Sequence, residues 1–240
     1  MKFYYDLHIH SCLSPCADMD MTPNNIVNMA KLLGLDVIAL TDHNTSLNCE
    51  AITKIAEKKG LCVLPGMELT TSEEIHAVCL FDTLDKALKF SEYVSLHQIK
   101  IKNRADIYGR QVIMDENDNE IGELDNLLIL ATDISISNAC ELVKSFGGVC
   151  FPAHIDRDSC SVLSVLGEIN KDFNFNTAEI FDLTKKDALK KAHPILNSMN
   201  IVSNSDAHYL ENMREPKNFF ELDSLNAENV IKLLSSAVKL

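Results

Sequence analysis

Short apolar runs alternate with longer segments of helical periodicity from one end of the chain to the other. Runs at 2–9, 36–41, 61–66, 75–81, 149–153, 178–181, 200–204 and 218–222 read as strands, being brief, rich in aliphatic and aromatic residues, and bounded by polar turns. Between them, helical periodicity recurs near 23–34, 48–59, 84–102, 137–147, 160–170, 185–197 and 226–239. A strand followed by a helix, repeated, predicts an α/β fold built on a parallel sheet with crossover helices.

Local chemistry sets several boundaries. Thr22 before Pro23 is a helix start, because the hydroxyl caps free amides and proline suits the first turn. Gly34 ends that helix, Gly60 after Lys58 and Lys59 ends the next, and Gly147-Gly148 repeats the signal before Val149-Cys150-Phe151. One segment breaks the rhythm: two short runs around an Asp/Asn-rich turn, at about 108–123, predict a β-hairpin excursion that serves as a lid or contact surface. Asp115, Asn117 and Asn119 fall at alternate positions as in a calcium loop, but Glu120 stands where that loop needs glycine and Asn126 where it needs glutamate.

A length of 240 residues suits one domain, 1–240, with a substantial core. Thirty-five acidic against 22 basic side chains give a net charge of -13, which opposes non-specific binding to a nucleic-acid backbone. No apolar stretch approaches the roughly 20 residues that span a bilayer, and the first residues lack the apolar core of a signal peptide. A soluble, cytoplasmic protein with no membrane partner is expected. The eight cysteines include no Cys-x-x-Cys pair and are expected to be reduced.

The histidines change the picture. Six of the eight sit at or beside the end of an apolar run, usually with a carboxylate nearby. Imidazole and carboxylate are the ligands of catalytic divalent metals, and ends of parallel strands are where such sites assemble. His8 and His10, two apart in a strand, share a face, and Asp6 is expected to share it too. His43 follows Asp42 at the end of the second run; Asp42 is read as orienting a ligand, donating a proton or capping the next helix. Glu68 lies just past the third run, where it bridges two metals or is a plain loop residue. His76 opens an apolar run and is by itself as well read as a hydrogen-bonded core histidine. His154 ends the run at 149–153, and Asp206 and His208 follow the run at 200–204. His97, inside a helical segment, and His193, before Pro194, are expected to be structural or surface residues. Phosphate-binding glycine loops and nucleophile elbows are absent, which leaves metal-activated water as the nucleophile.

His8-Ile9-His10, Thr41-Asp42-His43-Asn44, Gly66-Met67-Glu68 with His76, Pro152-Ala153-His154 and Ser205-Asp206-Ala207-His208, in this order, resemble the PHP family, named for its polymerase and histidinol phosphatase members. The resemblance implies a distorted (β/α)7 TIM-like barrel, carrying the hairpin as an insertion, and a cluster of two or three divalent ions (Zn, Fe or Mn). By motif position, His8, His10, Glu68 and Asp206 hold one ion, Glu68, His76 and His154 a second, and His43 and His208 a third. Where the family usually adds a histidine or aspartate in the loop after His-x-His, this chain has Cys16, with Asp18 and Asp20 as oxygen alternatives; a thiolate favours zinc or iron. The expected activity is phosphoester hydrolysis of a small phosphomonoester or nucleotide by a hydroxide bridging two metals. Arg157 is placed to grip a phosphate oxygen or to be a solvated loop residue, with Lys185 and Lys186 as weaker candidates. Alternatives are an exonuclease-like enzyme acting on oligonucleotide ends, and a non-catalytic metal-binding module that docks a partner through the hairpin.

Overall fold

A computed structural model describes residues 1–238. Its first strand, β1 (Lys2–Ile9), runs from an exposed start to a buried end. Helix α1 (Pro23–Leu33) begins as its caps dictate: the Thr22 hydroxyl accepts from the Asn25 amide, and Gly34, at φ 78°, closes it. Strand β2 (Val37–Leu40) lies parallel to β1, and α2 (Cys49–Lys59), ending at left-handed Gly60, leads to β3 (Cys62–Thr70), parallel to β2.

There the alternation fails. Only residues 71–75 separate β3 from β4 (His76–Phe81), and a parallel crossover needs about a dozen residues. The chain therefore turns straight back, and β4 pairs antiparallel with β3, His76 opposite Thr70. Gly66 permits this pairing, since a β-carbon there would lie 2.4 Å from the Cys79 carbonyl oxygen. The reversal corrects the expected all-parallel sheet and has a functional consequence. His76, first in its strand, arrives at the same end of the sheet as the last residues of β1 to β3.

Helix α3 (Leu84–His97) stops short of the expected 102, as Gln98 turns to extended backbone. The excursion follows: α4 (Ala105–Tyr108), then β5 (Val112–Met114) paired antiparallel with β6 (Glu120–Glu123). The Asp115 carboxylate accepts from the amides of Asn117 and Asn119, so the Asp/Asn-rich run braces its own turn. The hairpin is stitched to the loop after His10: the Val112 amide donates to the Cys12 carbonyl, and Asn48 bridges to Met114 and Val112.

Helix α5 (Ile136–Ser145) precedes β7 (Gly148–Pro152), which pairs antiparallel with β4. After α6 (Val162–Leu166) come β8 (Thr177–Glu179), α7 (Lys186–Ala192) and β9 (Asn200–Val202), with β8 and β9 forming their own parallel pair. Strand β10 (Phe219–Glu221) joins the free edge of β1 antiparallel, and α8 (Ala227–Ser235) ends the described helices; position 239 of the expected helix lies outside the described residues.

The result is a mixed α/β fold with a curled six-stranded sheet, β10-β1-β2-β3-β4-β7. Its ladder is not one closed ring of seven parallel strands among the described residues. The β8–β9 pair spans the gap through single contacts: the Ile155 amide donates to the Glu179 carbonyl, and Ile9 bridges Ala207. Inward residues such as Leu7, Val37, Leu64, Val78 and Phe151 pack with Val230 and Leu234 of α8, leaving the opposite end for polar groups.

Candidate metal centre

The site begins with an irregularity in β1. Its pairing with β2 shifts register between Asp6 and Ile9, which breaks the strict alternation that sequence spacing assumes. His8 and His10 point to the mouth of the curled sheet. Asp6 does not join them, contrary to expectation: its carboxylate accepts from the backbone amides of Ser205 and His8, and burial pushes it up to about 6.

Glu68 is the hub. It lies within β3, not beyond it, because pairing with β4 extends that strand, and it is 1% exposed. Its Oε1 lies 2.9 Å from His76 Nδ1 and 3.2 Å from both His8 Nε2 and His154 Nε2. Its Oε2 lies 3.1 Å from His43 Nδ1 and 3.4 Å from His10 Nε2. Asp206 Oδ1 approaches His10 Nε2 at 3.2 Å and His8 Nε2 at 3.3 Å. Three turns that deliver these groups use left-handed residues, Asn44 (φ 53°), His154 (φ 30°) and Asp206 (φ 51°). For side chains bearing a β-carbon such backbone costs about 1–3 kcal/mol each and gathers at functional sites.

Ligand atoms within 4.8 Å of one another form three overlapping groups: His8, His10, Glu68 and Asp206; His43, Glu68 and His76; and His10, His43 and His208. The first matches the set implied by motif position. In the second, His43 stands where His154 was expected, and the His154 ring reaches Glu68 without joining a group; in the third, His10 joins His43 and His208. Cys16 lies beside the third group. Although the residue is exposed at the surface, desolvation raises its thiol; the facing His208 and His43 outweigh that and bring it down to about 6. Asp18 instead accepts from the Asp20 amide, so neither aspartate appears in these groups.

These residues fit a cation. The Nδ1–H of His8 faces Glu179 at 3.0 Å and that of His10 faces Ser14 Oγ at 3.0 Å, which assigns the Nε2 lone pairs to the mouth. Those two Nε2 atoms, His43 Nδ1 and Asp206 Oδ1 are buried without a hydrogen-bond partner. Lone pairs that face one another with no hydrogen between them are what a divalent ion resolves, and mixed nitrogen and oxygen donors suit zinc, iron or manganese. In the ion-free protein protons take that place. Burial lowers the affinity of His8 and His43 for a proton, but the surrounding carboxylates, Glu179, Asp206 and Glu68 for His8 and Glu68 for His43, raise it well above the usual histidine value. His10, pushed down by burial and by the charge of His208, stays neutral. Glu68 and Asp206 remain ionised: burial works against this, and the facing imidazoles overcome it.

Asp42 lies beneath the cluster, and burial raises its carboxyl. It is 1% exposed, and its oxygens accept from the Ser11 amide (2.7 Å), the Ser11 hydroxyl (2.6 Å) and the Ser14 hydroxyl (2.7 Å). The Ser14 hydroxyl that it accepts from lies 3.0 Å from His10 Nδ1. Arg157 is half-exposed at the rim, with Nη1 2.7 Å from Asp206 Oδ2 and its guanidinium over the Phe181 ring. Lys185 is held by Asp156 (3.6 Å) and Lys186 opens α7. His97 pairs with Asp133 at 2.8 Å and His193 caps α7, both outside the cluster. Sequence reasoning missed Glu179, buried within an apolar run whose lone carboxylate was the available signal, and Cys160, whose thiol meets His76 from a turn at φ 54° that no spacing betrays.

A family model, the PHP domain, matches residues 6–237. A 5'-3' exoribonuclease of Haemophilus influenzae is 35% identical over 79 residues, which are 32% of this chain and 28% of that protein. The crystal structure of a lesion-specific endonuclease from Pyrococcus furiosus superposes with a TM-score of 0.67 at 20% identity, covering 98% of this chain and 56% of that one. A putative metal-dependent phosphoesterase from Bifidobacterium adolescentis gives a TM-score of 0.61 at 17% identity over 96% of this chain and 94% of that one. The chain thus spans only about half of the endonuclease and little more than a quarter of the ribonuclease.

Proposed function

Because the chain belongs to the PHP domain family, we propose that it is a metal-dependent phosphoesterase hydrolysing a small phosphomonoester or nucleotide. The observation that carries the reading is the convergence of unpartnered His8, His10, His43 and Asp206 ligand atoms around Glu68. His8, His10, Glu68 and Asp206 would hold one ion, His43, Glu68 and His76 a second with His154 adjoining, and His10, His43 and His208 a third that Cys16 completes. Divalent ions there supply a polarised phosphoryl oxygen and water whose pKa falls from about 15.7 towards 7. The chain's own residues do the rest. Arg157, anchored on Asp206 and stacked on Phe181, presents its remaining donors to a phosphate oxygen at the rim. Asp42 and Ser14 hold the His10 ring so that Nε2 faces the phosphate site. A net charge of -13 disfavours a long nucleic-acid track, and a cytoplasmic location suits eight free thiols. No helix among the described residues is long and apolar enough to cross a membrane.

A second reading, hydrolysis at oligonucleotide ends, draws support from the likeness to a ribonuclease and an endonuclease. Protein reconstituted with manganese, iron or zinc and offered phosphomonoesters, a mononucleotide and single-stranded oligonucleotides separates the two. Turnover of monoesters that does not grow with chain length is expected. Turnover that rises with length transfers the assignment to oligonucleotides. No turnover with any metal at full occupancy overturns the enzyme reading and leaves a non-catalytic binding module.

A further inference from the structure

We propose that Glu179 is a positioning residue for the metal centre: from the end of β8, its buried carboxylate fixes the tautomer of His8 and the backbone of His154, presenting imidazoles from two strands to Glu68. The inference rests on reading the cluster as a metal site.

Glu179 is 1% exposed and belongs to none of the three groups of ligand atoms. Its Oε1 lies 2.6 Å from Asn204 Nδ2 and 3.2 Å from His8 Nδ1; its Oε2 lies 3.0 Å from His8 Nδ1 and 2.8 Å from the His154 amide nitrogen. Three N–H donors thus meet a group that, ionised, only accepts. The backbone joins in, since the Glu179 carbonyl accepts from the Ile155 amide at 2.9 Å. Both ends of one residue therefore grip the turn in which His154 adopts its left-handed φ of 30°. Asn204, whose Oδ1 accepts from the Leu7 amide at 2.8 Å, ties the same carboxylate to β1 just before His8.

A buried glutamate that merely satisfied core donors would have no reason to face a ligand imidazole. Here it faces the ring nitrogen opposite the one aimed at Glu68 and Asp206. An anion behind Nδ1–H orients the ring and makes the far lone pair a stronger donor to a cation. His10, two residues on, has the neutral Ser14 hydroxyl in that place. The two adjacent imidazoles therefore differ in basicity, and His8 is the stronger ligand. Glutamine cannot replace Glu179: it keeps one accepting oxygen and turns an NH2 group towards either His8 and Asn204 or the His154 amide. Aspartate keeps the charge one methylene short.

The test compares ion-free wild type, Glu179→Gln and Glu179→Asp in competition with a chromophoric chelator for Zn2+, alongside thermal melts of the ion-free proteins. Glu179→Gln should bind its tightest ion about 10–100-fold more weakly, with Glu179→Asp in between and ion-free folding retained. Equal Zn2+ affinity in folded Glu179→Gln and wild type overturns the proposal. Imidazole 15N spectra of Zn2+-loaded wild type decide without any variant: a proton on His8 Nδ1 is expected, and one on Nε2 contradicts the inference. Wild type that takes up no ion contradicts the metal centre itself, and this proposal with it, whereas uptake indifferent to Glu179 contradicts the proposal alone.

Discussion

Replacing Glu68 by Gln abolishes turnover and lowers the number of bound ions, in the expected result with the largest effect. The reason is geometric. One carboxylate oxygen faces His76, His8 and His154, and the other faces His43 and His10, all within 3.4 Å. An amide keeps the shape but turns one of those oxygens into an NH2 donor, which faces nitrogen lone pairs whichever way it flips, without binding a cation. Outer partners of metal ligands typically cost 10–100-fold when removed, so the loss at Glu68 should exceed about a hundredfold. His97→Ala is the control, since its ring is occupied with Asp133 and Tyr93 away from the mouth. Steady-state kinetics and metal content measured on both variants check the placement. If the two behave alike, the centre is not where Glu68 lies.

Removing the ions should lower the melting temperature by roughly 8–16 °C. A ligand present at a thousand times its dissociation constant stabilises the folded state by about 4.1 kcal/mol, and each kcal/mol shifts melting by roughly 2–4 °C in a chain of this size. The pH dependence has a definite sign. In the ion-free protein His8, His43 and His76 have raised pKa values; burial opposes this, and Glu68, with Glu179 and Asp206 at His8, overcomes it, taking His76 to about 9. Raised groups contribute stability that is complete below the unfolded value of about 6.5 and lost as pH climbs through the folded value. Ion-free protein should therefore weaken from about pH 6.5 towards 9. Ion binding needs those imidazoles unprotonated, so the stabilisation it confers should grow over the same window. Differential scanning calorimetry of both forms at several pH values checks this; an increment that shrinks with rising pH contradicts it.

Much of the centre was legible because metal ligands in an α/β fold sit where apolar runs end. His8, His10, His43, His154, Asp206 and His208 carry that signal in the sequence alone, and the structure brings them to one mouth. His76 was legible only by resemblance, since it starts its strand. The missing helix between the runs at 61–66 and 75–81 was itself the sign that β4 reverses. Other features left no trace. A register shift moves Asp6 away from the histidines, and alternation cannot foresee a bulge. Asp42 reads the same whether it donates a proton or holds serines, and its contacts with Ser11 and Ser14 appear only in three dimensions. Glu179 needed the third dimension, because its partners His8 and Asn204 lie 171 and 25 residues away along the chain.

The central claim, a metal centre built on Glu68, is tested most directly by elemental analysis of anaerobically purified protein. Two or three divalent ions per chain are expected, three if Cys16 completes the group of His10, His43 and His208, and two if it does not. Protein that carries no divalent ion, and takes up none when manganese, iron or zinc is supplied, would contradict it.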